Sequence, residues 1–370
     1  MLLWLLDFFR NTSLWNLFQY VTLRAALAAT VAFLTAVLLG PRVIAYLRAK
    51  KIGEKVQKGD SAVLDQMHAG KAGTPTMGGL LILIAILAAI LLFGRLSNPY
   101  VVLAALSTVG FSCVGLIDDW TKLSGRNKKG IPARLKMALL LAVALAIAIA
   151  IVLLAKHAGE ATPYVVRLPF LKDVVLDLSW WHGSLYLVFC ILVLLGSSNA
   201  VNLTDGLDGL ATGCAAIAAA AFSVIIYVVG RKDTTEYLLI TYVPGSGELA
   251  IVCAALAGAC LGFLWFNSYP AQVFMGDTGS LLIGGLLGFV AVVARQELVL
   301  PIVGGVFVME AASVILQVGS FKLTGKRIFR IAPIHHHFQF AGWHEVKVVS
   351  RFWILAVIFA IAGVATLKVR

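Results

Sequence analysis

Two adjacent carboxylates, Asp118 and Asp119, stand in the string VGLIDDW at the end of a long apolar run. A helix C-terminus carries partial negative charge, so two aspartates there ask for a cation. A second group, Asn199, Asn202, Asp205 and Asp208, lies in NAVNLTDGLDGL. Asp205 and Asp208 are three apart and share a face if they open a helix. An Asp- and Gly-rich string also suits a turn, but a turn accounts for one aspartate rather than the set. A third string, FNSYPAQVFMGDTGS, carries Asn267 and Asp277, the latter also placed to cap a following helix. The fourth, APIHHHF, carries His335, His336 and His337. Three adjacent imidazoles cannot all point one way, so they do not form a zinc site alone, whereas one or two could contact a phosphate. Lys71 and Thr76 lie in KAGTPTMGG, a weak signal that offers backbone, hydroxyl and ammonium donors to a phosphate without the order of a Walker A loop.

Several carboxylates without a cysteine cluster suit a hard cation held by oxygen, and Mg²⁺ fits best because it binds one or two carboxylates plus substrate phosphates. Lys, Thr and backbone N–H groups suit a diphosphate. Together they suit phosphoryl transfer by positioning and charge neutralisation. The five cysteines, Cys113, Cys190, Cys214, Cys253 and Cys260, all lie in apolar blocks without metal-ligand spacing and read as free, buried thiols.

The elements that must hold these groups are membrane helices. The chain of 370 residues is 60% hydrophobic and 13% charged, against about 45–50% and about 25% in a soluble domain. Ten apolar blocks approach the ~20 residues that cross a bilayer: Leu23–Leu47, Met77–Phe93, Tyr100–Ile117, Leu135–Leu154, Gly183–Leu195, Leu210–Val229, Leu249–Phe266, Ser280–Val293, Val299–Phe321 and Phe352–Leu367. The fifth and eighth are short as drawn and require extension or tilt. The expected fold is therefore an all-α polytopic membrane protein with about ten spans, in one integral-membrane domain covering 1–370. The N-terminal MLLWLLDFFR is too short to span and has no small-residue cleavage site, so no cleavable signal peptide is expected. Trp4, Phe8, Phe9 and Trp15 suit a segment lying in the membrane interface. The glycines of GGLLGFV suit close helix packing.

The net charge of +12 sits in short loops, which points to anionic lipid rather than nucleic acid. The loops after spans one, three and nine, with the helix starts that follow them, carry 18 of the 30 basic residues. They are Arg48, Lys50, Lys51, Lys55, Lys58, Lys71, Lys122, Arg126, Lys128, Lys129, Arg134, Lys136, Lys322, Lys326, Arg327, Arg330, Lys347 and Arg351. The opposite loops and both termini carry 11, with Arg42 inside span one. Odd-numbered loops are thus expected in the cytoplasm and both termini outside, with Lys368 and Arg370 against the rule. All four polar motifs fall in odd-numbered loops, which places a cytoplasmic-face cleft.

The strings GTPTMGG, DDW, NAVNLTDGLDGLA, FLWFNSYPAQVFMGDTGS, GGVFVMEAASVILQVGSFKLTGKRIFRIAPIHHHF and ATLKVR carry a resemblance over essentially the whole chain. The chain resembles the phospho-N-acetylmuramoyl-pentapeptide transferases, within the polyprenyl-phosphate hexose-1-phosphate transferase superfamily. The resemblance implies transfer of phospho-MurNAc-pentapeptide from UDP-MurNAc-pentapeptide to undecaprenyl phosphate, with Mg²⁺, giving lipid I and UMP. It also implies a ten-span fold in the bacterial inner membrane and a homodimer. Asp118, Asp119 and Asp277 match the family's catalytic aspartates, with Asp277 the best metal-ligand match, and His335, His336 and His337 match its triple-histidine loop. Lys71, Thr76, Asn202, Asp205, Asp208, Asn267 and Phe274 match positions of the nucleotide and diphosphate pocket. Gln339 stands where the family often has an acidic residue, so this chain offers no carboxylate at that point.

Two rival readings stand beside this one. A sister transferase using UDP-GlcNAc shares the aspartate motifs but not the loop from Gly319 to Gln339. A transporter requires polar residues near mid-span or interrupted helices in paired halves, whereas these motifs cluster at one face.

Overall fold

The computed structural model describes residues 13–50, 71, 73–123, 130–157, 164–171 and 175–368. The interfacial residues Trp4, Phe8 and Phe9, the loop lysines 51, 55, 58, 128 and 129, and Arg126, Lys172 and Arg370 lie outside them. A short helix α1 (Ser13–Gln19), which contains Trp15, precedes α2 (Val21–Ala49), α3 (Gly79–Phe93), α4 (Pro99–Leu123) and α5 (Ala133–His157). An antiparallel hairpin follows, β1 (Val165–Arg167) with β2 (Val175–Asp177). Then come α6 (Trp180–Thr204), α7 (Leu210–Val229), α8 (Lys232–Leu238), α9 (Leu249–Asn267), α10 (Gly276–Val293), α11 (Leu300–Val303), α12 (Gly305–Thr324), α13 (Ile334–Phe340) and α14 (Glu345–Ala365).

The protein is an all-α polytopic membrane protein. Among the described residues nine helices are long and apolar enough to span: α2, α4, α5, α6, α7, α9, α10, α12 and α14, with the Ser246–Glu248 turn prefacing α9. The expected second span is α3, which at 15 residues is about 22 Å long and falls short of the ~30 Å hydrocarbon core.

Several boundaries differ from the apolar blocks. Helix α6 runs nine residues past Leu195, so Asn199 and Asn202 lie on a helix rather than in a loop. Helix α10 starts four residues before Ser280 and takes in Asp277. The ninth block is broken into α11 and α12 at Gly304. Helix α14 starts seven residues before Phe352 and takes in Glu345. In α6, α10 and α14 polar residues interrupt the apolar pattern while their backbone groups continue the helical ladder, as a membrane requires, whereas at Gly304 the ladder itself breaks.

Helices α9 and α10 form the buried centre, with α2 and α7 packed on α9 and with α4 and α6 packed on α10. Between helices in lipid, close packing of small residues replaces the hydrophobic drive. A Cβ added at Gly258 would overlap the Ala29 backbone of α2, and one at Gly284 would overlap the Ser197–Ser198 backbone of α6. The outer helices keep apolar faces uncovered, as with Leu141, Ile149 and Leu153 on α5 and Ile354, Ile358 and Ile361 on α14. Four cysteines are buried and free as expected; Cys113 is free but exposed on α4, because its position on the helix turns it away from α10.

At one end of the bundle, Arg24 of α2 grips Glu248 through two bonds of 2.7 and 2.6 Å and donates to the Phe93 carbonyl at 3.2 Å. Tyr186, Arg295 and Glu297 form a second buried polar group at that end. The motif residues gather at the other end, where α4, α6, α9 and α12 finish and α3, α5, α7, α10 and α14 begin.

Candidate active site at one end of the bundle

Asp118 and Asp119 lie one turn before the end of α4, both buried. Asp277 is the second residue of α10. Helices α4 and α10 meet closely because position 115 is glycine: a Cβ there would overlap the Asp277 backbone. The result is a carboxylate cluster in which one oxygen from each of the three aspartates lies within 4.8 Å of the others.

The three do different work. Both oxygens of Asp119 are taken by the start of α10: Oδ1 accepts from the Asp277 N–H at 3.2 Å, and Oδ2 accepts from the Thr278 N–H at 2.9 Å and its hydroxyl at 2.7 Å. The expected cap of this helix thus comes from Asp119 on a neighbouring helix, not from Asp277. It satisfies orphan N–H groups and places negative charge at the positive end of α10. Gly276, at φ +72°, makes the turn tight enough for this, and a Cβ there would stand 2.7 Å from Asp119 Oδ2 and 3.1 Å from Thr76 Oγ1. That contact puts Thr76 beside the cluster.

Asp118 and Asp277 hold cations closely, whereas Lys122 Nζ comes only to 3.7 Å from Asp119 Oδ1. Lys122 Nζ lies 2.7 Å from Asp118 Oδ2 and 2.9 Å from Asp277 Oδ2. Lys136 Nζ, at the start of α5, lies 2.6 Å from the same Asp277 oxygen and 3.6 Å from Asp118. The other Asp277 oxygen accepts from the Asn202 amide at 2.7 Å, and that amide also donates to Ser280. Asp118 Oδ1 accepts from the Ile131 N–H at 2.9 Å. Two ammonium groups against three carboxylates leave the cluster negative. The oxygens of Asp118 and Asp277 converge on ammonium positions, which a hard cation can take by displacing a lysine, so this donor set fits Mg²⁺ chemistry. Asp119 fits it less well, because its oxygens already have donors.

A second cluster adjoins the first through the 268–276 segment. Lys71 Nζ donates to Asp208 Oδ1 at 2.7 Å and to Glu345 Oε1 at 2.6 Å. The same Glu345 oxygen accepts from the Asp208 N–H at 2.8 Å. Asp208 Oδ2 accepts from the Ala271 N–H at 3.0 Å. Asn267 Oδ1 accepts from the Gly209 N–H and the Thr212 hydroxyl, while its amide donates to the Val273 carbonyl. Half-buried Phe274 exchanges backbone bonds with the 75–78 segment, donating to the Pro75 carbonyl and accepting from the Gly78 N–H, both at 2.8 Å. Asp205 and Asp208 do not open a helix: Asp205 is the half-buried C-cap of α6, and Asp208 is buried in the turn before α7.

The histidines sit on α13 rather than in a loop and diverge as three neighbours must. His335 is fully buried with Nδ1 3.0 Å from the buried Glu310 of α12, and its ring packs against Gly206. His336 Nδ1 pairs with Gln339 Oε1 at 2.8 Å. His337 Nδ1 accepts from the Arg330 N–H at 3.2 Å, and its ring meets Phe329 edge-on. At position 339 an amide rather than a carboxylate orients His336.

Lys122, Lys136, Glu310 and Glu345 are the site residues the motifs left out. Lys122 carried a signal, since it stands one helical turn after Asp118. Lys136 read only as a loop charge, and Glu345 lay in a polar stretch before an apolar block.

The glycosyl transferase family 4 model matches residues 101–295. A signature of phospho-N-acetylmuramoyl-pentapeptide-transferases matches residues 71–83. Curated relatives bear the same transferase name. One from Thermodesulfovibrio yellowstonii is 46% identical over 96% of this chain and 96% of its own length. One from Koribacter versatilis is 46% identical over the whole of both chains. One from Oleidesulfovibrio alaskensis is 47% identical over 96% of each. With such similarity from end to end, the chain belongs to the phospho-N-acetylmuramoyl-pentapeptide-transferase family.

Proposed function

We propose that this chain transfers phospho-MurNAc-pentapeptide from UDP-MurNAc-pentapeptide to undecaprenyl phosphate, giving lipid I and UMP, at the cytoplasmic face of the bacterial inner membrane. The observation that carries this reading is the convergence of Asp118, Asp277, Lys122 and Lys136 at one bundle end in a member of this family. The cytoplasmic placement rests on the basic loops at that end. It gains support from Arg24, whose charge is spent in a buried ion pair rather than on the opposite surface.

In this reading Asp277 and Asp118 would hold Mg²⁺, which would supply charge neutralisation at the donor diphosphate. Asp119 takes no part in the chemistry itself; it fixes the start of α10 and so the position of Asp277. Lys122 and Lys136, released from the aspartates, offer point charges to the diphosphate. Lys71, Asp208 and Asn267 belong to the donor pocket, with Asp205 and Phe274 beside them. The acceptor is a phosphate monoester whose second pKa is about 6, so it is largely a dianion at neutral pH. One of its oxygens attacks the sugar-bearing phosphorus, the bond to the bridging oxygen breaks, and UMP leaves. No covalent enzyme intermediate is needed, since the nucleophile requires almost no deprotonation.

The test is UMP release by purified protein given undecaprenyl phosphate and either UDP-MurNAc-pentapeptide or UDP-GlcNAc, with and without Mg²⁺. Release from the MurNAc donor alone, abolished by chelation, is expected. Turnover of UDP-GlcNAc would assign the chain to the sister reaction.

A further inference from the structure

We infer that Glu345 is a positioning residue for the donor: one of its carboxylate oxygens fixes both the Lys71 ammonium and the turn that carries Asp208. This rests on the donor-pocket reading above and extends it to a residue outside every motif. Three segments distant in sequence meet at this oxygen. Lys71 precedes α3, Asp208 lies between α6 and α7, and Glu345 opens α14. The Glu345 side chain is only 9% exposed and that of Asp208 3%, so neither is a freely solvated charge.

The geometry divides the labour between the two carboxylates. Asp208 spends its second oxygen on the Ala271 N–H, which ties the turn to the 268–276 segment. Glu345 spends one oxygen on two donors at once, Lys71 Nζ at 2.6 Å and Asp208 N–H at 2.8 Å. Losing it would leave a buried backbone N–H without an acceptor and Lys71 with one carboxylate where it had two. A long, flexible ammonium chain with one anchor samples more rotamers, and fixing it again on donor binding costs affinity. A buried donor left unsatisfied adds to that cost. The effect belongs to binding of the donor diphosphate, because Glu345 makes none of the bonds in the Asp118–Asp277 cluster.

The experiment compares wild type, Glu345→Ala, Glu345→Gln, Lys71→Ala and the Lys71→Ala/Glu345→Ala double variant, reading KM for each substrate, kcat and the unfolding temperature in detergent. Glu345→Ala should raise the donor KM by about tenfold or more, with kcat and the acceptor KM within about threefold of wild type. Glu345→Gln keeps an oxygen for the Asp208 N–H but loses the charge, so it should fall between the two. In the Lys71→Ala background the same change should raise the donor KM by less than about threefold, because the two residues act as one unit. A donor KM unchanged in both Glu345 variants overturns the inference. So does a rise that persists in full without Lys71, or one that moves both KM values together with the unfolding temperature, since these mark a merely structural acid. A wild type that releases no UMP overturns the functional reading itself, and this inference with it.

Discussion

Neighbouring aspartates of the same type end up with opposite tasks because of what lies across from them. Asp119 spends both oxygens on the N-terminus of α10, with Lys122 only 3.7 Å away, whereas Asp118 and Asp277 hold Lys122 at 2.7 and 2.9 Å. Asp119→Ala should therefore act first on structure. It leaves two backbone N–H groups and a hydroxyl without acceptors, at about 1–3 kcal/mol for each buried group left bare. A clear drop in unfolding temperature in detergent is expected, with activity falling because Asp277 is no longer held. An Asp119→Ala protein as stable as wild type but inactive would move Asp119 into the chemistry. Most of the candidate site's carboxylates and amides were legible in the sequence, since they stand out against an apolar background, while Lys122, Lys136, Glu310 and Glu345 were not. The tasks of the legible residues were hidden as well. DDW reads as a pair, and only the packing of α4 on α10 separates its two members. Glu345 was invisible for a related reason: its partners are 137 and 274 residues away, and nothing local marks it.

At the level of elements, the cluster exists because helices approach without side chains between them. Gly115 lets α4 reach the Asp277 backbone, and Gly79 lets α3 reach Gly279. Gly115→Ala should push α4 from α10, with a cost of about 1–3 kcal/mol for overpacking and loss of most turnover. Gly196→Ala is the control: a Cβ there meets nothing within 4 Å, and Ala favours a helix, so activity should hold. Parallel kinetics and thermal unfolding of the two variants check this, and a fully active Gly115→Ala protein would remove the close approach from the account. Among the described residues the apolar blocks located every long helix but misplaced the ends that matter. Asn202, Asp277 and Glu345 lie within helices because backbone hydrogen bonding runs beyond the ends of the apolar blocks, after the last residue in α6 and before the first in α10 and α14. Periodicity cannot see that continuation when one polar residue faces a site and its neighbours face other helices.

For the molecule as a whole, the two ends of the bundle differ in kind. One carries ion pairs sealed between helices, such as Arg24–Glu248. The other carries a cluster of carboxylates and lysines beside basic loops. The proposed orientation, with the second end in the cytoplasm, rests on that contrast and the positive-inside rule. With exposed Cys113 replaced by Ser and the four remaining thiols buried, a cysteine introduced at Lys326 should react with an impermeant thiol reagent only from the cytoplasm, and one at Lys232, on α8, only from outside. Labelling of position 326 from outside would turn the site away from a soluble cytoplasmic donor. The central claim is that the Asp118–Asp277 end of the bundle performs the transfer, and the mass of the lipid product tests it most directly. Wild type and Asp277→Asn, each in lipid nanodiscs, would receive UDP-MurNAc-pentapeptide, undecaprenyl phosphate and Mg²⁺. The account predicts a polyprenyl diphosphate bearing MurNAc-pentapeptide from wild type, and at least about a hundredfold less from an Asp277→Asn protein that unfolds at the wild-type temperature. The same product from Asp277→Asn at the wild-type rate would contradict it.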